Sequence, residues 1–143
     1  MRSVSTREGG STASEIVKRY IDSVWNRGDI EALRQLTTPG FRYFLGGQPG
    51  RSVSEMAEFL SLTRTAFPDW RVVISTIIAE GEHVAVRWSG RVTHEGEFHG
   101  IPATGRQIDV SGINVYQIEG GKIAAEWEQM DSIGLLRQLG VGS

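Results

Sequence analysis

Three carboxylates lie near the C-terminal end of the chain, around one tryptophan. In the segment EWEQMD, Glu126 and Glu128 flank Trp127, and Asp131 follows shortly after. An acid buried in apolar surroundings has a raised pKa, so it can take a proton from carbon and return it elsewhere. On a solvated edge the same acids would do no chemistry, and Asp131 is also placed to cap a following helix. The segment therefore contains candidate acid/base catalysts, provided that their side chains point inward.

Two strand-like segments upstream each carry an apolar row that a polar residue interrupts or extends. In HVAVRWSGRVTH the even positions 84–92 are mostly apolar, include Trp88, and continue to His94. In QIDVSGINVYQI the even positions are apolar except for Asn114, which lies beside Tyr116 on that face. A buried amide needs hydrogen-bond partners. Asn114 is therefore predicted to belong to a polar cluster.

The glycine pair Gly120 and Gly121 predicts a hairpin between the last two strands. Simple pairing across this turn puts Asn114 opposite Trp127, with Gln129 and Asp131 further along the same face. The pairing predicts a polar cluster at the strand ends of an apolar cavity.

Helical segments come first along the chain, and strand-like segments follow. The predicted elements are a helix capped by Thr12 and Glu15 and ended by NRGD, a short helix at 30–36, the strand FRYFL, a helix capped by Ser52 and Glu55 and ended by Pro68, four strands between 70 and 131, and a last helix SIGLLRQLG. This order indicates an α+β domain in which the helices cover one face of an antiparallel sheet. Gly90 and Gly112, inside strand patterns, indicate bulges or bends that would curve the sheet around a cavity.

The composition limits the class of protein. With 143 residues the chain has room for one domain, predicted over residues 11–143 behind a flexible tail at 1–10. Its net charge of -2, from 15 basic and 17 acidic residues, argues against nucleic acid and anionic membranes as partners. The sequence has no apolar run that could span a bilayer and no signal-peptide pattern. Since it also lacks cysteine, a cytoplasmic location is predicted.

Other possible sites are weaker. His94 and His99 are five residues apart and would point to opposite faces of an extended segment, and His83 lies at a turn, so no metal site is predicted. The segment GIPATG lacks the lysine and the strand-to-helix setting of a phosphate loop, and is predicted to be a turn. No Ser-His-acid order stands out. Trp25 and Trp127 are more typical of a core than of a cofactor contact.

Four segments resemble those of a known family. YIDSVWNRGDIEAL, AFPDWRVVI, GIPATGRQIDVSGINVYQIEGGKI and EWEQMDSIGLLRQLG are similar to segments of the SnoaL-like polyketide cyclases, in the nuclear transport factor 2-like, ketosteroid-isomerase-like superfamily. The resemblance runs from about residue 14 to residue 140 and is most specific in the C-terminal third. It implies a cone-shaped, curved antiparallel sheet wrapped around the N-terminal helices, chemistry without a cofactor, and a homodimer or higher homo-oligomer.

The resemblance also implies an activity and its residues. In the cyclases an acidic side chain removes the proton alpha to a carbonyl or ester of an aromatic polyketide, and the enolate closes a ring on a ketone of the same molecule. The position of this acid falls on Glu128, with Asp131 as second candidate. The partner position, a histidine in the cyclases, falls on Asn114, which can donate a hydrogen bond to an enolate oxygen but cannot carry a proton. The residues expected to contact a small hydrophobic substrate are His94, His99, Tyr43, Trp88, Tyr116, Trp127 and Gln129.

The two lines of reasoning disagree at one point. Hairpin pairing puts Asn114 beside Trp127, whereas the resemblance puts it beside Glu128. One β-bulge in the last strand would reconcile them, and bulges are frequent next to active sites.

Three other functions remain open on the sequence. Acid-catalysed opening of an epoxide, or closure of an oxygen ring, would use the same pocket. A small-molecule binding protein would need the pocket but no tuned acid, and an assembly module would need only the outer face of the sheet. A raised pKa on Glu128 or Asp131 would favour catalysis, and a solvated carboxylate would favour binding.

Overall fold

The computed structural model describes residues 12–141, so the predicted flexible tail at 1–10 lies outside the described residues. Within that range the helices are α1 (Ala13–Tyr20), α2 (Ile30–Leu36), α3 (Val53–Ala66) and α4 (Ser132–Gln138), and the strands are β1 (Thr37–Leu45), β2 (Val73–Glu80), β3 (His83–Thr93), β4 (Gln107–Glu119) and β5 (Lys122–Met130). The predicted order of helices and strands is confirmed.

The strands form one sheet in the order β1-β5-β4-β3-β2. Its pairs are antiparallel as predicted, except at one edge, where β1 runs parallel to β5. This strand is longer than the sequence pattern FRYFL and includes Pro39. An edge strand tolerates proline because one side of its backbone needs no ladder partner. The parallel edge places the end of β1 beside the two glutamates of β5.

Both predicted capping boxes are confirmed. Thr12 Oγ1 accepts a hydrogen bond from the Glu15 amide at 3.2 Å, and Glu15 Oε1 accepts one from the Thr12 amide at 3.1 Å. Ser52 and Glu55 make the same reciprocal pair at the start of α3. The first helix does not end at Tyr20 but continues as a π-helical segment, Ile21–Asn26. This segment positions part of the site.

One hydrophobic core lies between the sheet and the helices. The predicted inward faces of β3 and β4 are confirmed, because their even positions, including Trp88, Asn114 and Tyr116, are buried. The row of inward side chains therefore carries one amide in an apolar surrounding.

The sequence predicted bulges or bends at Gly90 and Gly112, and neither glycine forms a bulge. The β3–β4 ladder pairs without a shift along its whole length. A Cβ on Gly112 would lie 2.7 Å from the Gln129 carbonyl oxygen and 2.8 Å from the Trp88 ring, and one on Gly90 would meet the Arg71 carbonyl oxygen. Glycine is needed at both positions because the neighbouring groups approach too closely for any side chain.

Candidate active site

A β-bulge in β5 turns its glutamates inward. Ile118 pairs with Ile123 next to the turn, but the register then shifts by one residue, and Asn114 pairs with Glu128. The simple pairing of Asn114 with Trp127 is therefore wrong, and the bulge that reconciles the hairpin with the family resemblance is confirmed. Because side chains alternate along a strand, the one extra residue exchanges the inner and outer faces of everything beyond it.

Glu126 lies at the centre of a buried hydrogen-bond network. Its exposed fraction is 0%. Tyr20 Oη donates to Oε1 at 2.6 Å, and Trp25 Nε1 and Asn114 Nδ2 donate to Oε2 at 3.1 and 2.8 Å. These donors come from α1, from its π-helical extension and from β4. Residues far apart in sequence therefore converge on one carboxyl group.

The π-helical segment explains how two residues of the same helix reach Glu126. In an α-helix, Tyr20 and Trp25 would point about 140° apart around the axis. A π-helical turn is wider and pairs residues i and i+5, so it brings positions five apart closer to one face. Trp25 thereby reaches the carboxyl group that Tyr20 already contacts.

Asn114 links the two glutamates, and Trp88 sets its orientation. The indole Nε1 of Trp88 donates to Asn114 Oδ1 at 2.8 Å. An indole N–H can only donate, so the amide NH₂ must face the other way. There Nδ2 donates to Glu126 at 2.8 Å and to Glu128 Oε1 at 3.3 Å. With both amide hydrogens engaged in this way, Asn114 is not free to donate to an enolate oxygen.

Glu128 connects this network to open space. It is 4% exposed, and its Oε1 accepts hydrogen bonds from Tyr43 Oη at 2.7 Å and from Asn114. Its Oε2 receives no hydrogen bond from any residue that the structure describes. Glu128 also borders the main cavity. One carboxyl oxygen is thus held in place and the other is available to a ligand.

The cavity has a volume of about 350 Å³, within the range of small-molecule sites. It lies between α3, α4, the end of β5, the loop after β1 and the β3–β4 connection. Its aromatic lining consists of Trp25, Phe59, Phe67, Trp70 and Phe98, and its polar lining of Gln48, Thr63, His99, Glu128, Gln129 and Ser132. The cavity is therefore mostly apolar, with one acid on its wall.

The environment shifts the pKa of both acids upward. Burial raises the pKa of Glu126 to about 7, although the hydrogen bond from Tyr20 opposes the rise. Burial also raises the pKa of Glu128, opposed by the hydrogen bond from Tyr43. Burial raises the pKa of Tyr20, Tyr43 and Tyr116 well above the ordinary value, so these hydroxyls stay protonated. Glu126 can consequently exchange a proton near neutral pH.

Three predicted residues near the end of β5 do not share the inner face with Asn114. Asp131 is exposed and caps α4, since its Oδ1 accepts from the Gly134 amide at 2.9 Å. Trp127 is 39% exposed and stacks on Phe44 outside the cavity. Gln129 is exposed but borders the cavity. The capping role of Asp131 is confirmed, and the common face predicted for these residues is wrong because of the bulge.

Three other expected substrate contacts lie behind the acids rather than at the cavity. Tyr43 holds Glu128, and Trp88 holds Asn114. Trp88 and Tyr116 do not line the cavity but border a separate cleft of about 10 Å³, which is too small for a substrate. The structure therefore places these side chains where they position the acids.

The two candidate histidines lie in different environments. His94 is fully buried, and its Nδ1 lies 3.0 Å from Thr104 Oγ1 and accepts from the Thr104 amide at 3.2 Å. It does not border the cavity, and its Nε2 has no partner among residues 12–141. His99 is exposed, borders the cavity, and has a positive φ of 48°. Only His99 is placed to contact a bound ligand.

Glu126 was one of the three candidate acids on the sequence, but simple pairing did not place it on the inner face, and it was not assigned to the site. The available signal was its spacing, because residues two apart on a strand share a face, and Glu126 stands two before Glu128. Trp25 was assigned to the core and Tyr20 was not singled out, although buried tyrosine and tryptophan side chains usually need a hydrogen-bond partner. That need was the signal that they serve a buried acceptor.

Two further observations concern metal ions and membranes. Within residues 12–141, no three histidine, aspartate or glutamate side chains are grouped so that they could hold a metal ion. In the same part of the chain, no helix is both long and apolar enough to cross a membrane.

The fold and site together define a class of protein. It is an α+β protein with the nuclear transport factor 2-like fold, whose open mixed sheet and helices enclose a cavity. Residues 15–139 match the family described as SnoaL-like polyketide cyclase. The chain belongs to this family, as its sequence motifs indicated.

Solved structures of similar proteins cover nearly the whole chain. IdmH of Streptomyces antibioticus, provisionally named a polyketide cyclase, is 29% identical, with a TM-score of 0.81 over 92% of this chain and 100% of its own. A protein of Acidithiobacillus ferrooxidans, also provisionally named a polyketide cyclase, is 30% identical, with a TM-score of 0.80 over 96% and 100%. AclR of Streptomyces galilaeus, provisionally named a hydroxylase, is 25% identical, with a TM-score of 0.79 over 90% and 98%. Among curated proteins, none matches the chain.

Proposed function

We propose that this chain is a cofactor-independent cyclase of hydrophobic polyketide-type substrates, with Glu128 as the residue that exchanges a proton with the substrate. One observation carries the proposal: Glu128 is nearly enclosed by protein, yet it borders the cavity with one oxygen unengaged. A carboxyl group in such a place is poorly hydrated, which strengthens its tendency to take a proton. Membership of a cyclase family supports the same assignment.

The proposed reaction needs only proton transfer and carbon–carbon bond formation. Glu128 Oε2 takes the proton alpha to a carbonyl group, and the electrons of the C–H bond pass to the carbonyl oxygen to form an enolate. The enolate carbon attacks a ketone of the same molecule, and the resulting alkoxide receives the proton back from Glu128. Tyr43 and Asn114 hold Oε1, so that Oε2 faces the substrate throughout.

The cavity favours a neutral substrate. Its lining contains one carboxylate and no lysine or arginine among the residues that the structure describes. An anionic group would meet the charge of Glu128 in apolar surroundings, where like charges repel strongly. An ester should therefore be preferred over the corresponding free acid.

A substrate panel tests the proposal. We expect methyl esters of aromatic polyketides to be converted to ring-closed products and the matching free acids to react at least about 10-fold more slowly, since the repulsion is worth more than about 1.4 kcal/mol. Product formation can be followed by liquid chromatography with mass detection. Binding of the esters without any conversion would support the non-catalytic binding protein instead.

Acid-catalysed opening of an epoxide is the second candidate. It is favoured by the raised pKa of Glu128, which burial causes, because a neutral carboxyl group can protonate an epoxide oxygen. Epoxides belong in the same panel for this reason. The pH dependence separates the two reactions: base-catalysed ring closure accelerates as pH rises through the pKa of Glu128, and acid-catalysed opening slows.

A homodimer and a cytoplasmic location stay predictions. Support for the dimer comes from an apolar row of paired residues that crosses the outer face of the sheet. In order across the strands, the row consists of Ile78, Ala85, Val115, Trp127 and Phe44. Ile78 and Trp127 are 64% and 39% exposed, and such a contiguous patch commonly marks an interface. The cytoplasmic location rests on the cysteine-free sequence.

Sedimentation velocity tests the dimer. We expect the native chain to sediment as a dimer and Trp127→Glu to shift it toward monomer, because a charge at the centre of an apolar interface is poorly solvated. Lys122→Glu, at the hairpin end and outside the row, is the matched control and should stay dimeric. A native chain that sediments as a monomer at micromolar concentration would contradict the prediction.

A further inference from the structure

Glu126 is a buried ionisable group that the proposed reaction does not use. It does not border the cavity, whereas Glu128 does. Both side chains are buried and share the donor Asn114 Nδ2. Among the described residues, the ion pairs lie at the surface and involve neither glutamate. Two negative charges so close together and without a paired cation are strongly unfavourable, so one carboxyl group of the pair keeps its proton.

The surroundings of Glu126 suit a neutral carboxyl group. Tyr20 Oη lies 2.6 Å from Glu126 Oε1 and 3.4 Å from Met56 Sδ. When Glu126 is protonated at Oε1, Tyr20 Oη can accept a hydrogen bond from Oε1 instead of donating one. Its own hydrogen then points to Met56 Sδ, since a thioether sulfur can only accept. Oε2, acting as a carbonyl oxygen, accepts from Trp25 and Asn114. A protonated Glu126 therefore leaves Tyr20, Trp25 and Asn114 each with a hydrogen-bond partner.

The surroundings of Glu128 suit the ionised form. Tyr43 and Asn114 both donate hydrogen bonds to its Oε1. Among the described residues, none accepts a hydrogen bond from Oε2, as a protonated Oε2 would require. Although burial is the largest influence on its pKa and raises it, the positive charge of Arg51 acts in the opposite direction. Because Glu128 borders the cavity and its Oε1 is engaged by Tyr43 and Asn114, Oε2 is the oxygen left to contact water or a ligand. If one of the two acids is charged, the geometry favours Glu128.

We propose that Glu126 is a positioning residue that stays protonated behind an ionised Glu128, so that the buried pair carries a single negative charge directed at the cavity. The inference rests on the proposed function for its catalytic meaning. A neutral Glu126 leaves Glu128 able to take a proton from the substrate and give it back. A second charge on Glu126 would hold the proton on Glu128, and the site would lose its base.

Among the residues that the structure describes, few other ionisable groups lie around Glu126. Tyr20 faces it from α1, Tyr116 from β4 and Glu128 from β5, and Tyr43 on β1 also acts on the pair, as does Arg51 through Glu128. The tyrosine pKa values are raised well above the ordinary value, foremost by burial. The tyrosines therefore stay protonated, and the glutamates are the members of this cluster whose charge can change with pH.

Carboxyl-carbon NMR tests the inference without a substrate. The native chain, Glu126→Gln and Glu128→Gln are labelled with carbon-13 at the glutamate side chains, and the carboxyl shifts are recorded from about pH 4 to 9, the range in which shifted glutamates titrate. Glutamine mimics a protonated glutamate: its oxygen can accept from Trp25 and Asn114, and its amide can donate to Tyr20. Signals absent from each variant identify the two residues.

We expect Glu128 to ionise first as the pH rises. The carboxyl carbon of Glu126 should keep the chemical shift of a neutral acid until about pH 7, the pKa to which burial raises it. The Glu128 signal should show a second, smaller step as Glu126 ionises, and that step should vanish in Glu126→Gln while the first step remains. If Glu126→Gln does not fold, the signal whose midpoint moves in Glu128→Gln identifies Glu126 in the native spectrum. The inference would be overturned if the chemical shift of Glu126 were that of an ionised carboxylate already at low pH while Glu128 titrated near neutrality. Since no turnover is measured, that outcome would leave the proposed cyclase activity to its own test.

Discussion

Glu128→Gln is expected to slow ring closure by roughly 100- to 10,000-fold, the usual contribution of a positioned acid/base group. Glutamine has nearly the same size, and its oxygen can still accept the hydrogen bonds of Tyr43 and Asn114. It cannot take a proton from carbon, however, so only the orienting contribution of the cavity remains. The measurement is the rate of ester conversion at saturating substrate, together with the melting temperature of the variant.

Two other variants make the result specific. Glu119→Gln changes an exposed glutamate of the same hairpin and should leave conversion unaltered. Asp131→Asn alters the second candidate acid, which the structure places at the N-terminus of α4. Full conversion by Glu128→Gln with a loss in Asp131→Asn would transfer the proton chemistry to Asp131. Full conversion by all three variants would end the acid/base proposal.

The second large effect concerns stability. Between about pH 4.5 and 7, Glu126 is expected to lower the free energy of unfolding by about 3 kcal/mol, at about 1.4 kcal/mol for each unit of pKa difference. The unfolded chain releases this proton near the ordinary pKa, whereas burial keeps it on the folded chain until about pH 7. The unfolded state therefore binds fewer protons in this window. The stabilising contribution is complete below the window and is lost as pH rises through it.

Urea denaturation at pH 5 and pH 8 measures this effect. Glu126→Gln cannot ionise and should lose much less stability between the two pH values than the native chain does. Glu119→Gln, which removes an exposed carboxylate, should keep the native pH dependence. Equal losses in the native chain and in Glu126→Gln would show that Glu126 does not carry a raised pKa.

Local patterns predicted the elements of this fold well. The capping boxes at Thr12 and Ser52 define helix starts by contacts within four residues. Alternation along β3 and β4 identified the inward faces, including the isolated amide of Asn114. The turn at Gly120 and Gly121 follows from their positive φ values. All these features depend on residues that are close in the sequence, so the sequence can be interpreted directly.

The candidate site was predicted only in part. Glu128 was identified through family motifs, not through alternation, because simple pairing would have turned it outward. The same pairing would have turned Glu126 outward, and it placed Trp127 inside. A single extra residue in β5 reverses these three assignments. Nothing in the local composition of KIAAEWEQM marks where a bulge will occur.

The amino-acid sequence was sufficient for the helix starts, the strand faces and the family, since each depends on short-range periodicity or on shared motifs. The tertiary structure alone determined that β1 joins β5 in parallel and that a π-helical turn brings Trp25 to Glu126. It also decided that Asn114 bridges two acids rather than facing the substrate. The physical reason is that burying two carboxyl groups is tolerable only if donors from several distant elements satisfy them together. Such a condition belongs to the assembled core and leaves no pattern in any one segment.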